Sequence, residues 1–254
     1  MREEGAPRRG RWLREVWDSS IGKKVIVAAT GAILALYVLL HALGNLKTLQ
    51  GPGGEESAVD RYADWLRTVG EPALPRNGFL WIIRAVLIGA LVLHVAAIYA
   101  LWRRNRAARP PGHRDVPRLH RSLSSRTMTF TGIVLLAFIV FHILQFTTRT
   151  IQVTPIHQGT VYANLYGVFQ KWYFVLLYVA VMALLLLHLR HAIWSVTQTA
   201  GWDKPNRNPT FRRFATGFAV LVGVGFMVVP LAIWTDAVPE PKGSAVATAV
   251  RGSP

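Results

Sequence analysis

The residues best suited to chemistry in this 254-residue chain are its histidines, and five of the eight fall in its most apolar stretches. His41, His94, His142 and His188 occupy four separate apolar runs, and His191 follows His188 by about one helical turn. Imidazole titrates near neutral pH and is the commonest metal ligand among side chains. Inside a hydrocarbon layer such a ring is costly enough that function is the first reading. For any one of these rings alone, a hydrogen bond to a neighbouring helix explains it as well as ligation does. Four of them, one per run, call for a shared explanation. The chain has no cysteine, so disulfides, thiolate zinc sites and iron–sulfur clusters held by this chain alone are excluded.

The elements that must position these rings are apolar runs at 25–46, 80–102, 128–146, 172–196 and 214–234. Each is long enough to cross roughly 30 Å of hydrocarbon as a helix of about 20 residues. The pattern predicts an all-α membrane protein in which five transmembrane helices form a cofactor-binding bundle over 23–236. A cytoplasmic N-terminal segment, 1–22, would precede it. An extracytoplasmic tail rich in Ala, Gly and Pro, 237–254, would follow and is expected to lack order. Apolar residues make up 52% of the chain and charged residues 17%, the latter gathered between the runs. A bilayer selects that segregation. The first run is too long for a secretory signal peptide. Gly51-Pro52-Gly53-Gly54, Pro110-Pro111-Gly112 and Pro205 punctuate the connections, and Trp172, Tyr173, Trp202 and Trp234 stand near run ends where amphipathic rings favour the interface.

A net charge of +16 would suggest a nucleic-acid partner in a soluble protein. Its placement argues for membrane topology instead. Arg2, Arg8, Arg9, Arg11, Arg14, Lys23 and Lys24 precede the first run, and arginines from Arg103 to Arg126 fill the second connection. The first and third connections are much poorer in positive charge. By the positive-inside bias, the N-terminus and the second and fourth connections face the cytoplasm of a bacterial membrane, and no nucleic-acid partner is expected. The mixed segment around Trp12 and Trp17 would lie on that face or dock on a soluble partner.

Depth then pairs the histidines. At about 1.5 Å per residue, His41 lies roughly 25 Å beyond Lys24, and His142 roughly 24 Å beyond Arg126. Both belong to the outer half. His94 is about 13 Å from Arg103 and His188 about 16 Å from Thr199, which places both in the inner half. Two imidazoles facing each other across a bundle are an axial pair for a low-spin haem iron. Two such pairs predict two haems b, with iron held by His41, His142, His94 and His188. Zinc fits less well, because two histidines at one depth lack the further ligands of a closed site. Gly44 and Gly89 lie near the rings, although close helix packing alone explains either. His191 is the competing ligand on its helix, or a partner for a haem propionate.

At this point the residues resemble a known family, the single-chain, five-helix, dihaem cytochrome b anchors of succinate dehydrogenases and fumarate reductases. Ser-Ser-Ile-Gly-Lys-Lys at 19–24 with Thr30-Gly31, then His41-Ala-Leu-Gly44-Asn45-Leu46, are similar to its first helix; Tyr62-Ala63 and Leu66 fit the loop that follows. Asn105-Arg106-Ala-Ala-Arg109-Pro110, Ser125-Arg126-Thr-Met128 leading to Phe141-His142, His188-Leu-Arg-His191-Ala192-Ile-Trp194-Ser195 and Gln198-Thr-Ala-Gly201 continue the likeness. It spans about 19–230, and the order and spacing of these pieces are more specific than any one of them. The resemblance implies that His41 and His142 hold the outer haem and His94 and His188 the inner one. It also implies a flavoprotein subunit and an iron–sulfur subunit on the cytoplasmic face, with electrons passing from succinate to membrane quinone, menaquinone in most single-anchor members. Ala192 departs from the glycine often found there. None of the 13 Asp and Glu residues lies in a run, so a carboxylate relay across the membrane cannot be built from this chain.

A quinone head needs hydrogen-bond donors beside an apolar slot. Trp17, Ser20 and Lys24 at the inner edge, or Asp60, Tyr62 and Asp64 outside, are the candidates, with Ser20 also read as a helix N-cap and Asp64 as a solvated charge. The basic inner connections would meet partner carboxylates or anionic lipid. The competing readings are a cytochrome b of a membrane hydrogenase or formate dehydrogenase, a transporter with proton-relay histidines, and an anchor in which a partner's iron–sulfur centre replaces a haem.

Overall fold

The computed structural model describes residues 9–52, 56–108, 123–155, 160–202 and 208–241, with backbone only at 9–13 and 123–126. Several features named above lie outside the described residues: Arg2 and Arg8, Gly53-Gly54, the connection at 109–122, Pro205 and the tail beyond 241.

Among the described residues every regular element is helical. A short helix α1, Arg9–Asp18, leads into α2, Ser20–Leu46, which ends in a 3-10 turn, Lys47–Gln50. A short α3, Ala58–Thr68, precedes α4, Gly78–Ala107. Next comes α5, Leu123–His142, prolonged by one π-helical turn, Ile143–Thr147. A short α6, Val161–Phe169, separates it from α7, Trp172–Thr199, and α8, Asn208–Trp234, closes the fold. Five helices are long and apolar enough to cross a membrane: Ser20–Gln50, Gly78–Ala107, Thr127–Thr147, Trp172–Thr199 and Asn208–Trp234. The chain is an all-α, multi-pass membrane bundle.

Local chemistry sets the element ends. Ser19 is extended at φ −84°, ψ 147°, and its hydroxyl accepts from Gly22 N at 2.8 Å. The cap of α2 is therefore Ser19; Ser20, read as the cap from sequence, is already the first helical residue. Ser57 caps α3 by accepting from Asp60 N. Asn77 takes a left-handed conformation, φ 67°, just before α4. Pro230 stands inside α8, where its missing N–H leaves the Phe226 carbonyl without its usual partner.

Large apolar side chains such as Ile21, Leu36, Ile88, Val92, Ile133 and Leu221 are exposed on the spans. In water such a surface would be untenable; against lipid it is the outer coat. The helix contacts use small residues instead. Ala215, Ala219 and Gly223, spaced four apart on one face of α8, are all buried. A Cβ on Gly223 would lie 3.2 Å from Leu186 Cβ and Cδ1 of α7. The main packing partners run α4 on α2, α2 on α8, α8 on α7 and α7 on α5, with α2 also meeting α7. Thus α4 hangs on α2, α5 hangs on α7, and these two outrigger helices are not principal partners of one another.

One end of the bundle carries a polar and aromatic cap, unanticipated from the sequence, built from α3, α6 and the chain after α8. Tyr162, Tyr166, Val168 and Phe169 of α6 pack into one buried cluster with Val229, Ile233 and Val238. Tyr162 Oη donates to Pro239 O at 2.6 Å, and Gln170 Nε2 donates to Ile233 O at 3.1 Å. Burial pushes the Tyr162 phenol up to about 12; burial, aided by Asp236, does the same for Tyr166. Both stay protonated donors at neutral pH. Residues 237–241, placed by the sequence reading in a loose tail, belong to this cap: Val238 is 3% exposed. The opposite end carries Lys23, Lys24, Arg103, Arg104, Arg212 and Arg213, and is the basic end.

The α7–α8 seam makes a direct prediction. Gly223→Ala should lower the detergent-solubilised melting temperature, because Leu186 must give way. Gly217→Ala, with nothing within 4 Å of its new Cβ, should be neutral or stabilising by up to about 1 kcal/mol. Equal melting temperatures for the two variants would contradict this packing.

Candidate functional site

The four span histidines sit on four different helices: His41 on α2, His94 on α4, His142 at the end of α5 and His188 on α7. Because successive spans alternate in direction, His41 and His142 fall toward the capped end. Their ring centroids are 6.0 Å apart with planes at 77°. Two imidazoles sharing one metal through bonds of about 2 Å hold their ring centres about 6 Å apart, so this spacing suits a shared ion. Tyr37 stacks on the His41 ring at 5.4 Å and Phe226 tilts against it at 5.6 Å. Phe138 and Phe146 flank His142 at 5.8 and 5.4 Å. Phe226 is thus the residue whose carbonyl Pro230 releases, four residues along α8.

His142 is also hydrogen-bonded. Its Nδ1 lies 3.2 Å from Tyr178 Oη, and Tyr178 donates its single proton to Gln145 Oε1 at 2.7 Å. Tyr178 is therefore the acceptor, His142 Nδ1 carries the proton, and Nε2 is left as the free base. The π-helical turn places Gln145 just beyond His142, as π turns often do beside functional side chains.

His94 on α4 and His188 on α7 lie toward the basic end of the bundle. His94 Nδ1 is 3.0 Å from Thr30 Oγ1 of α2, and His188 Nδ1 is 3.1 Å from Thr131 Oγ1 of α5. Thr30 donates its proton to Ile26 O at 2.7 Å and Thr131 to Met128 O at 3.0 Å. Each hydroxyl can therefore only accept from the ring, so Nδ1 is again protonated and Nε2 again free. The next residue in each helix is glycine. A Cβ on Gly31 would lie 3.2 Å from His94 Cε1, and one on Gly132 would lie 3.6 Å from His188 Cε1. Gly44 and Gly89, singled out from sequence, do otherwise: Gly44 meets the Tyr62 ring, its would-be Cβ 2.8 Å from Cε1, and Gly89 faces open space.

Among the described residues no cluster of three or more His, Asp or Glu forms a metal site. What the chain offers is paired neutral imidazoles, three with the tautomer that exposes Nε2. Such pairs suit an ion whose other ligands come from a macrocycle, and the residues fit haem. His191, one turn beyond His188, is half-buried on α7.

The quinone candidates separate. Asp60 is 6% exposed and its carboxylate accepts from Ser57 Oγ at 2.6 Å and from Tyr162 N at 3.2 Å, as well as from Val161 N. It ties α3 to the N-terminus of α6, where a negative charge is favoured. Asp64, read from sequence as a solvated charge, has a side chain 48% exposed and pairs at the surface with Arg76 at 2.5 Å and Arg67 at 3.8 Å. Tyr62 stacks on Trp65 at 5.8 Å, and Lys47 Nζ lies 5.4 Å from the Tyr62 ring centre. At the basic end, Trp17 engages Lys23, whose Nζ lies 5.3 Å from the ring centre and donates to Trp17 O. Ser20 and Lys24 are exposed.

A cavity of about 100 Å³ opens near the capped end, lined by Gln145, Phe146, Arg149, Thr154, Asn164 and Val168 among others. Gln145 is 5% exposed, and its Nε2 has no hydrogen-bond partner among the described residues. The sequence reading missed Tyr178, Gln145 and Thr131. The doublets Thr30-Gly31 and Thr131-Gly132, each set toward the basic end of its helix, were the available signal.

Comparison with known proteins adds no relative: no protein-family model, curated protein or solved structure matches this chain.

Asp60 separates a structural carboxylate from a ligand-binding one. Asp60→Ala should destabilise the capped end by about 1–3 kcal/mol, the cost of leaving buried donors unpaired, while Asp60→Asn keeps an acceptor and most of that stability. Thermal unfolding in detergent measures both. A melting temperature unchanged in Asp60→Ala would contradict the capping role.

Proposed function

We propose that this chain is the two-haem cytochrome b anchor of a succinate:quinone oxidoreductase, set in a bacterial cytoplasmic membrane with its N-terminus in the cytoplasm. The observation that carries the proposal is the 6.0 Å opposition of His41 and His142 from different helices; His94 and His188, each bound through Nδ1 to a threonine of a neighbouring helix, supply the second pair. Bound haem would supply one-electron chemistry at each pair. The chain's residues do the rest. Four imidazoles offer ligation, hydroxyls fix three of their tautomers, and Phe138, Phe146 and Phe226 keep water from the outer pair.

The choice of enzyme rests on the ordered motifs from Ser19 to Pro230 described above. In this reading the flavoprotein and iron–sulfur subunits dock on the basic end, where Lys24, Arg103, Arg104 and Arg213 are exposed, and succinate chemistry belongs to those subunits. The quinone, menaquinone by the resemblance, is reduced at the membrane. The cavity beside Gln145 suits its head group better than the Asp60 or Asp64 carboxylates do, because those are held in structural pairs and Gln145 keeps an unpaired donor.

The test is haem loss by position in the purified complex. His142→Ala should remove one of two haems and leave the other spectrum and succinate oxidation by the soluble subunits intact. His94→Ala should remove the other. Retention of both haem signals in either variant would contradict the pairing.

A further inference from the structure

We propose that Thr30 and Thr131 are positioning residues for the inner haem, each accepting the Nδ1–H of one inner histidine so that Nε2 of His94 and His188 stands free for the iron. The inference rests on the haem reading above and adds to it which residues fix ligand tautomer and strength.

Three observations carry it. Each threonine is buried, Thr30 at 7% and Thr131 at 0% exposure, in a span where an imidazole N–H finds no water. Each hydroxyl proton is already donated to the threonine's own helix backbone, which leaves only lone pairs for the ring. The donors and acceptors come from different helices, α2 to α4 and α5 to α7, so each bond also anchors one outrigger helix to its neighbour in register.

The glycine after each threonine completes the device. Gly31 and Gly132 lie against the Cε1 edge of the ring, the edge between the two nitrogens. A Cβ at 31 would press that edge and turn the ring about its Nδ1 tether. Threonine thus sets the tautomer, and glycine leaves the space in which the ring can hold its orientation.

The arrangement also makes the two haem sites unequal. Both inner histidines meet threonine hydroxyls, and His94 also reaches the Val27 backbone carbonyl. At the outer site His142 feeds a Tyr178–Gln145 chain, and the His41 ring stacks on Tyr37 and packs against Phe226. Hydrogen bonding from the distal ring nitrogen raises the basicity of a ligating imidazole, and a stronger donor favours ferric over ferrous iron. Removing the acceptor should therefore raise the midpoint potential of the haem concerned.

The experiment uses the purified complex with Thr30→Val, Thr131→Val, Thr30→Ser and Tyr178→Phe, reading the midpoint potential and low-spin electron paramagnetic resonance signal of each haem. Thr30→Val and Thr131→Val should shift one and the same haem, the one lost in His94→Ala, upward in potential and with an altered resonance. Thr30→Ser should restore the wild-type values. Tyr178→Phe should move the other haem alone. Valine keeps the volume and removes only the hydroxyl, and if Thr30→Val does not assemble, Thr131→Val carries the same comparison. Wild-type potentials and signals in both valine variants would overturn the proposal, as would equal shifts of both haems. A wild-type complex that contains no haem would instead overturn the functional reading on which it rests.

Discussion

In a lipid environment every polar group must find its partner inside the protein, and for this chain the decisive case is the imidazole N–H. A histidine placed deep in an apolar helix can satisfy Nδ1 only with a side chain or backbone from a packed neighbour. Here Thr30, Thr131 and Tyr178 meet that need for three rings. Each bond crosses between helices, so satisfying the ring also fixes which helices pack and at what height. The consequence for function is chemical. Once Nδ1 is committed, Nε2 is the unprotonated nitrogen, the one each ring has left to offer.

The same economy governs the bundle around the rings. With little hydrophobic drive between helices in lipid, contact depends on close approach, and Ala215, Ala219 and Gly223 provide it along α8. Packing is tight where α7, α8 and α2 meet, whereas α4 and α5 are each held mainly by one neighbour. His94 and His188 sit on α4 and α7, so their ring hydrogen bonds reach the partner helices α2 and α5 and reinforce these two lateral attachments. At the capped end the chain returns to soluble-protein logic: an aromatic cluster around Tyr162, Tyr166 and Phe169 shields the bundle, and the buried Asp60 carboxylate joins two short helices. Acids here stabilise architecture, which accords with their exclusion from the spans.

Much of this was legible in the residues, for a physical reason. Length and apolar continuity dictate spans, so five runs became five long helices with ends moved by a few residues. The meeting of His41 with His142 followed from counting the rise from charged span ends, because helix geometry leaves depth almost no freedom. The short α3 and α6 were not visible, since amphipathic segments of about ten residues draw their stability from packing on the cap rather than from their own pattern. Tyr178 and Gln145 were equally hidden: one lies within an apolar run and the other at its end, and only the π turn after His142 brings Gln145 under the tyrosine. Ser19 in place of Ser20 as the cap, and Gly31 in place of Gly44 beside a histidine, are one-residue and one-neighbour matters that periodicity cannot resolve. The doublet Thr-Gly at 30–31 and 131–132 was readable, but its meaning needed the rings facing it.

The central claim is that the four span histidines are ligands to two haems. The most direct measurement is haem content per chain together with the reduced-minus-oxidised absorbance of the purified wild-type complex, using succinate as reductant. About two haems b per chain, at least one of them reduced by succinate, is the expected result. A fully assembled, succinate-oxidising complex that contains no haem would contradict it.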